Sequence, residues 1–214
     1  SKRISKKIIV ASSGKIESLD PARANTLKAI QLISSLGDTL YELNSNGELI
    51  PELASGMPII SKDRLKIVIN LRKNVFFHDG TSFNSNAIKF TFDRFKRIGT
   101  MNYILGNKIK SIETPSEYSV IINLNKPSSS INGLLTSVNL TPISPTFYQE
   151  YSDKFLNEKF VGTGKYVLSS FSNEVQSIDP NLNYWGEKPL NEGIDFVGYS
   201  NSSSLFGALK SKQI

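Results

Sequence analysis

The sequence contains no cysteine among its 214 residues. This excludes a disulfide framework, zinc sites built from thiolates and a cysteine nucleophile. There is also no apolar run of about 18 residues, the length that a membrane-spanning helix needs. With 39% hydrophobic and 21% charged residues, the composition is typical of a globular protein. A chain of this length can bury a real core, in one domain or in two small lobes.

Histidine occurs once, at position 78, so a catalytic triad or a histidine general base would have to use it. His78 lies in a predicted turn between Phe77 and Asp79, and no activated nucleophile is near it in the sequence. One imidazole beside one carboxylate also supplies too few ligands for a closed transition-metal site. We therefore predict that His78 stabilises the turn, and we expect no catalytic residue, no metal site and no cofactor.

Acidic residues are fewer than basic ones, 19 against 25, which gives a formal charge of +6. Apart from a short group at the start (Lys2, Arg3, Lys6 and Lys7), the basic residues are scattered singly or in pairs along the chain. No DNA- or RNA-binding motif accompanies them. We interpret the excess as a solvated surface and expect no nucleic-acid partner.

The clearest structural pattern lies in residues 49–97. Apolar and polar residues alternate over 65–71, which predicts a strand with one buried face. A short β-prone run at 75–77 follows, and Asp79-Gly80 then predicts a tight turn. From there apolar residues recur with helical spacing over 86–97, at Ile88, Thr91, Phe92 and Phe95. We predict an amphipathic helix, capped by Asn84 or Ser85, that buries Phe92 and Phe95 against a sheet.

Patterns elsewhere predict further elements. We expect strands at 7–11, 109–113 and 118–124, a helix over 26–43 that Gly37 interrupts, a hairpin turn at Asn46-Gly47 and a helix over 147–157. The run Gly162-Thr163-Gly164-Lys165 resembles a phosphate-binding loop only in part. Lys159 occupies the position of its first glycine and Tyr166 follows the lysine, so we predict no phosphate site.

The order and spacing of these residues resemble the extracytoplasmic solute-binding proteins of family 5, the dipeptide/oligopeptide/nickel class that serves ABC importers. The resemblance is carried by Pro51, Leu53-Ala54, Ser61, Asp63, Leu71-Arg72, Val75, Phe77 to Thr81, Ala87-Ile88 and Phe92 to Arg94. A second block is carried by Gly162 to Gly164, Tyr166, Tyr184-Trp185 and Lys188-Pro189, and residues 205–214 look like the start of a further family motif. The sequence departs from the family at Met57, where an aromatic residue is usual, and at Lys165, where proline is usual.

The resemblance implies a mixed α/β fold of the periplasmic-binding-protein type II. It assigns residues 1–46 and 160–214 to a large lobe and residues 47–159 to an inserted smaller α+β lobe. It also implies that the chain is cut before a second large lobe. On its own, such a piece is expected to bind ligand weakly.

The function implied by the resemblance is non-catalytic. Such a protein binds peptides outside the cytoplasmic membrane, as a monomer without direct membrane insertion, and delivers them to a membrane-embedded ABC permease. A leader would be expected, and this chain shows none. A nickel-chelate or other-solute binder of the same family, or a shortened paralogue without a transport role, is the alternative.

The resemblance also supplies candidate ligand-binding residues. Asn25, Thr26 and Leu27 follow a Leu-Asp-Pro turn where family members run beside the bound peptide; from the residues alone, Asp20-Pro21 only begins a turn that caps a helix. Tyr103 either contacts the ligand or packs in the core. Two weaker candidates complete the set: Asn139, expected to line the cleft, and Trp185, for which core packing is favoured over stacking on a ligand.

Overall fold

The computed structural model describes residues 6–100 and 102–199, together with residues 203, 206, 207, 210 and 211. The motif expected over 205–214 therefore lies mostly outside the described residues, as do Lys2 and Arg3. The strands are β1 (Ile8–Ser12), β2 (Tyr41–Leu43), β3 (Leu49–Pro51), β4 (Ile59–Ile60), β5 (Lys66–Asn70), β6 (Ile109–Ser116), β7 (Ser119–Leu124), β8 (Tyr166–Phe171), β9 (Val175–Pro180) and β10 (Ile194–Gly198). The α-helices are α1 (Leu27–Leu36), α2 (Ser85–Ile98), α3 (Ile131–Leu135), α4 (Pro145–Glu150) and α5 (Asp153–Leu156), and two 3₁₀ helices span Gly106–Lys108 and Val138–Leu140.

The middle of the chain forms a four-stranded sheet in the order β4-β5-β7-β6, in which every neighbouring pair is antiparallel. On β5, Ile67 and Ile69 are fully buried, whereas Lys66 and Asn70 are exposed, as alternation predicts. Helix α2 packs on the buried face, and Phe92 and Phe95 are each 1% exposed. The predicted strand and the helix that covers it are both confirmed.

The cap of α2 and the turn before it are also as predicted. The Asn84 side chain accepts hydrogen bonds from the amides of Asn86 and Ala87, which satisfies two of the free donors at the helix start. Gly80 has φ of +84°, a conformation that glycine adopts at little cost. The β-prone run before the turn, in contrast, makes only an isolated bridge between Phe76 and Ser82, so it is not a strand.

The two ends of the chain meet in a second four-stranded sheet in the order β1-β10-β9-β8. Strand β1, predicted at 7–11, pairs in parallel with β10, and the other pairs are antiparallel. Helix α1 begins at the cap residue Thr26 and has its buried residues on one side, at Ala29, Leu32, Ile33 and Leu36. It packs beside β8.

Two predicted helices are shorter than expected. Helix α1 ends at Leu36 because the chain is extended at Gly37, where a Cβ would overlap the side chain of Thr141. Residues 41–43 instead form β2, which pairs with β3 through the predicted turn at Gly47. The helix expected over 147–157 is split into α4 and α5, because Tyr151 is extended and Ser152 caps a new helix by accepting from the Phe155 amide.

The buried apolar residues form two clusters. One surrounds α2 and the sheet β4-β5-β7-β6, with members from Ala22 to Leu140. The other surrounds α1 and the first sheet, with members from Ile16 to Ile178. Val161 packs against both clusters. Among the described residues, no helix is both long enough and apolar enough to cross a membrane.

Candidate functional site

The turn before α1 is fixed by a buried carboxylate. Asp20 is fully buried, and its two oxygens accept from Arg94 Nη1 at 2.7 Å and Nη2 at 2.5 Å. The Asp20 side chain also accepts a hydrogen bond from the Ala22 amide at 3.1 Å. The Asp20 backbone carbonyl accepts from the amides of Arg23 and Ala24. Bidentate pairing with arginine satisfies a buried carboxylate well, so this turn is held rigidly against α2.

Asn139, a sequence-predicted site residue, lies beside the same turn. Its Nδ2 atom donates to the carbonyl oxygens of Pro21 at 2.8 Å and Ala24 at 2.9 Å. Both amide hydrogens are therefore used within the protein. The structure thus brings Asn139 to the segment that contains Asn25, but its amide donors are already engaged there.

The three other predicted residues of this segment differ in exposure. Asn25 is exposed, and no backbone hydrogen bond from its N–H or C=O to another described residue is present. Thr26 caps α1, its hydroxyl accepting from the Ala29 amide at 3.3 Å. Leu27 is 74% exposed. A free N–H and C=O beside an exposed apolar side chain are groups that an extended peptide can pair with.

Thr26 and Leu27 also line a cavity of about 730 Å³. Its walls come from the end of β1, the start of α1 and the neighbouring strands β9 and β10. Two buried oxygens on these walls, Ser12 Oγ and Gln176 Oε1, have no hydrogen-bond partner in the described part of the chain. Burial also lowers the pKa of Lys28 at the cavity wall. A volume of this size is within the range of small-molecule sites.

Sequence reasoning missed Ser12, Gln176 and Phe196 as lining residues of this cavity. They are far apart in the sequence, and the parallel pairing of β1 with β10 and the antiparallel pairing of β10 with β9 bring them together.

Tyr103 is 64% exposed, so the core-packing alternative for it is wrong. It lies in the loop between α2 and the following 3₁₀ helix. That loop is tied to the turn before α1, because the Thr100 amide donates to the Ala22 carbonyl at 3.0 Å.

His78 joins two parts of the chain. Its Nε2 lies 3.1 Å from the Gly164 carbonyl and its amide donates to the Gly162 carbonyl at 2.9 Å. Burial lowers the pKa of the imidazole, and its Nδ1 has no partner among the described atoms. The Ser144 hydroxyl is bonded to Asp79 and the Phe147 amide, and in the described part of the chain no hydroxyl nucleophile is bonded to His78. No group of three potential metal ligands occurs among the described residues.

The run that resembles a phosphate loop has a structural role. The Gly164 amide donates to the Leu36 carbonyl at 3.0 Å, and the Gly164 carbonyl accepts from Asn181 Nδ2 at 2.9 Å and bonds to His78. A Cβ at Gly164 would overlap the backbone of Leu36. The close approach to the end of α1 explains why glycine stands here.

Trp185 is half-buried and already has partners. Its Nε1 donates to Asp38 at 2.9 Å, and the Arg72 guanidinium lies 4.0 Å from the ring centroid. Tyr184 and Thr163 also donate to Asp38. Burial raises the pKa of Asp38, although these hydrogen bonds oppose the shift. Trp185 is therefore a packing residue whose Nε1 is bonded to Asp38, in line with the expectation that favoured core packing over stacking on a ligand.

Comparison with solved structures places this fold among known proteins. OppA of Listeria monocytogenes bound to peptide matches with a TM-score of 0.88 at 19% identity, over 99% of this chain and 46% of the other. The periplasmic binding protein DppA of Helicobacter pylori, in complex with the peptide STSA, matches with a TM-score of 0.85 at 26% identity, over the same shares. The predicted mixed α/β fold of type II periplasmic binding proteins is confirmed.

Sequence comparison agrees. The glutathione-binding protein GsiB of Escherichia coli O6:K15:H31 is 28% identical over 183 residues, which are 84% of this chain and 35% of that protein. The chain thus spans about a third of the length of the curated relatives it matches. The sequence profile described as bacterial extracellular solute-binding proteins, family 5 Middle, matches residues 48–214. The chain therefore belongs to the bacterial extracellular solute-binding proteins of family 5.

Proposed function

We propose that this chain is part of the solute-capturing component of an ABC importer. It binds peptides outside the cytoplasmic membrane and delivers them to a membrane-embedded permease, without catalysing a reaction. The observation that carries the proposal is the segment Asn25, Thr26 and Leu27, in which Asn25 and Leu27 are exposed and the Asn25 backbone bonds to no other described residue, with a cavity of about 730 Å³ beside it.

Peptide is the ligand class that this chemistry favours. An extended peptide offers N–H and C=O groups to the Asn25 backbone and side chains to the apolar cavity walls. GsiB is named for glutathione, which is a tripeptide, and the H. pylori DppA structure contains the peptide STSA. Both relatives support a peptide over a metal chelate as the ligand.

We also propose that residues 1–46 and 160–214 belong to one lobe and residues 47–159 to another. The two four-stranded sheets support such a division, because β1 and β8 to β10 form one sheet and β4 to β7 form the other. Closure of a binding protein over its ligand would bury the polar groups that face solvent around Asn25. Hydrogen bonds strengthen when water is excluded in this way.

The test is calorimetry on the native gene product with a defined mixture of di- to pentapeptides. We expect Leu27→Glu to weaken binding at least tenfold, because it places a charge at the cavity wall. Leu182→Glu is the matched control, since Leu182 is 62% exposed and is not a lining residue of the cavity. Equal binding by the wild type and Leu27→Glu would place the site elsewhere.

A second assay addresses the absence of catalysis. The same peptides should be recovered intact after incubation with the protein. Turnover that disappears in His78→Ala would overturn the proposal that the protein only binds.

A further inference from the structure

We infer that Asn139 is a positioning residue, which sets the backbone of the ligand-facing segment from outside that segment. The inference rests on the proposed function, because it takes Asn25, Thr26 and Leu27 to be the ligand-facing residues. In this role the Asn139 amide binds the protein backbone and does not contact the peptide.

The first step is the use of the Asn139 donors. A single Nδ2 atom donates to the carbonyls of Pro21 at 2.8 Å and Ala24 at 2.9 Å. These two carbonyls lie on either side of the turn at Ala22 and Arg23. One rigid amide group that joins both ends of a short turn fixes its width, and therefore fixes the direction in which the chain leaves toward Asn25.

The second step is the contrast between the turn and the segment after it. The carbonyls of Asp20 and Ala22 are also bonded within the protein, to the amides of Ala24 and Thr100 respectively. At Asn25 this internal bonding stops among the described residues. A well-bonded turn that ends at a free N–H and C=O is the arrangement expected when those groups must be held ready for a ligand.

The third step is chemical. Asparagine offers two N–H donors without charge, whereas a carboxylate can only accept hydrogen bonds. In Asn139→Asp the ionised side chain would face two carbonyl oxygens and repel them. Protonation at low pH restores one O–H donor, so the defect should be partly reversible with pH. A leucine has the same branched shape, is somewhat larger and has no donor at any pH.

The experiment uses the native gene product and the defined mixture of di- to pentapeptides. Asn139→Leu should bind at least tenfold more weakly than the wild type at pH 7.5 and at pH 5. Asn139→Asp should bind peptide as weakly as Asn139→Leu at pH 7.5. At pH 5 its affinity should rise at least threefold toward that of the wild type. The charged groups around the turn are Asp20, Arg23, Arg94 and Asp153. The wild type and Asn139→Leu both carry these four groups, so any change in their affinity between pH 7.5 and pH 5 shows the contribution of groups other than the carboxyl introduced at position 139.

Two additions keep the test decisive. Asn132→Asp, at an exposed position of α3, controls for an added charge and should bind like the wild type. Asn139→Ser keeps one donor, so if Asn139→Leu fails to fold, the serine variant should still show intermediate affinity without the pH-dependent recovery.

Hydrogen exchange separates this inference from the proposed function. In the ligand-free protein, the hydrogen-bonded amides of residues 22–24 should exchange at least tenfold faster in Asn139→Leu, or in Asn139→Ser, than in the wild type. If the wild type binds no peptide, the proposed function fails and the exchange rates still decide whether Asn139 positions the segment. Unchanged exchange, or variants that bind like the wild type, or Asn139→Asp without recovery at pH 5, would overturn the inference.

Discussion

Asp20 and Arg94 form a buried ion pair, with 0% and 5% of their side chains exposed. Arg94 also lies over the ring of Tyr148, 5.2 Å from its centroid. The pair joins the turn before α1 to the middle of α2, so it connects the candidate ligand segment to the other sheet. Without Arg94, the buried Asp20 carboxylate keeps the longer ion pair with Arg23, at 3.5 Å, and loses most of its compensation.

We predict that Arg94→Met lowers the free energy of unfolding by about 3–5 kcal/mol. Lys89→Met is the control on the same helix, because Lys89 forms an exposed pair with Asp93 that is worth below about 1 kcal/mol. Urea unfolding of both variants measures the difference. Similar urea midpoints for the two variants would mean that the buried pair contributes no more to stability than the exposed pair.

Glu52 gives a pH-dependent prediction. Burial, and then the nearby Glu42 and Asp38, raise the pKa of Glu52 from 4.5 to about 7. The folded protein therefore holds a proton that the unfolded chain releases between pH 4.5 and 7, so this group makes the protein less stable as pH rises through that window.

Glu52→Gln should remove this loss of stability and so raise the free energy of unfolding at pH 7.5 by on the order of 1 kcal/mol, after allowance for solvent screening. Thermal unfolding of the wild type, Glu52→Gln and the exposed control Glu174→Gln, at pH 5 and pH 7.5, measures it. If Glu52→Gln follows the wild type at both pH values, the Glu52 pKa is not raised.

At the scale of single residues, the sequence predicted turn-forming and capping residues, because their side chains bond to backbone groups only two or three positions away. Asp20-Pro21 was expected to begin a turn and Asn84 was one of two expected caps, and the structure contains both. The partners Arg94 and Asn139 are 74 and more than 110 positions from the turn. No local pattern could have paired them with it.

At the scale of elements, the contact between Gly164 and the end of α1 determines how the segment after α5 returns to the first sheet. We predict that Gly164→Ala costs about 1–3 kcal/mol, since its Cβ would overlap backbone atoms that cannot move aside easily. Gly133→Ala in α3 is the control. No heavy atom lies within 4 Å of a Cβ there, and alanine favours the helix.

Differential scanning calorimetry of the two variants tests this contact. The account expects a lower melting temperature for Gly164→Ala and an equal or higher one for Gly133→Ala. Two equal melting temperatures would show that the segment at 160–168 can shift away from α1.

The elements that the sequence predicted well are those with long, regular periodicity, such as β5 and α2. Its errors lie where tertiary contacts override the local pattern. Helical spacing continues past Gly37, but Thr141 and Phe160 fill the space there and the chain turns into β2. The helix over 147–157 is broken because Ser152 offers a second cap.

At the scale of the whole molecule, one sheet is built from strands at both ends of the chain, and β1 lies next to β10. The cavity beside Leu27 depends on that pairing. Periodicity alone predicts strands but not their neighbours, so the cavity could not be located from the residues. The resemblance to family 5 supplied the fold and the segment 25–27, and it did so through motifs that lie mainly outside the cavity.

The central claim is that this segment belongs to a peptide-binding protein, and one measurement tests it most directly. The native gene product is purified from its own cells, washed and denatured, and the released small molecules are identified by mass spectrometry. The account predicts peptides in amounts comparable to the protein, and much less from Leu27→Glu prepared in the same way. Release of another solute, with no peptide from the wild type, would contradict it.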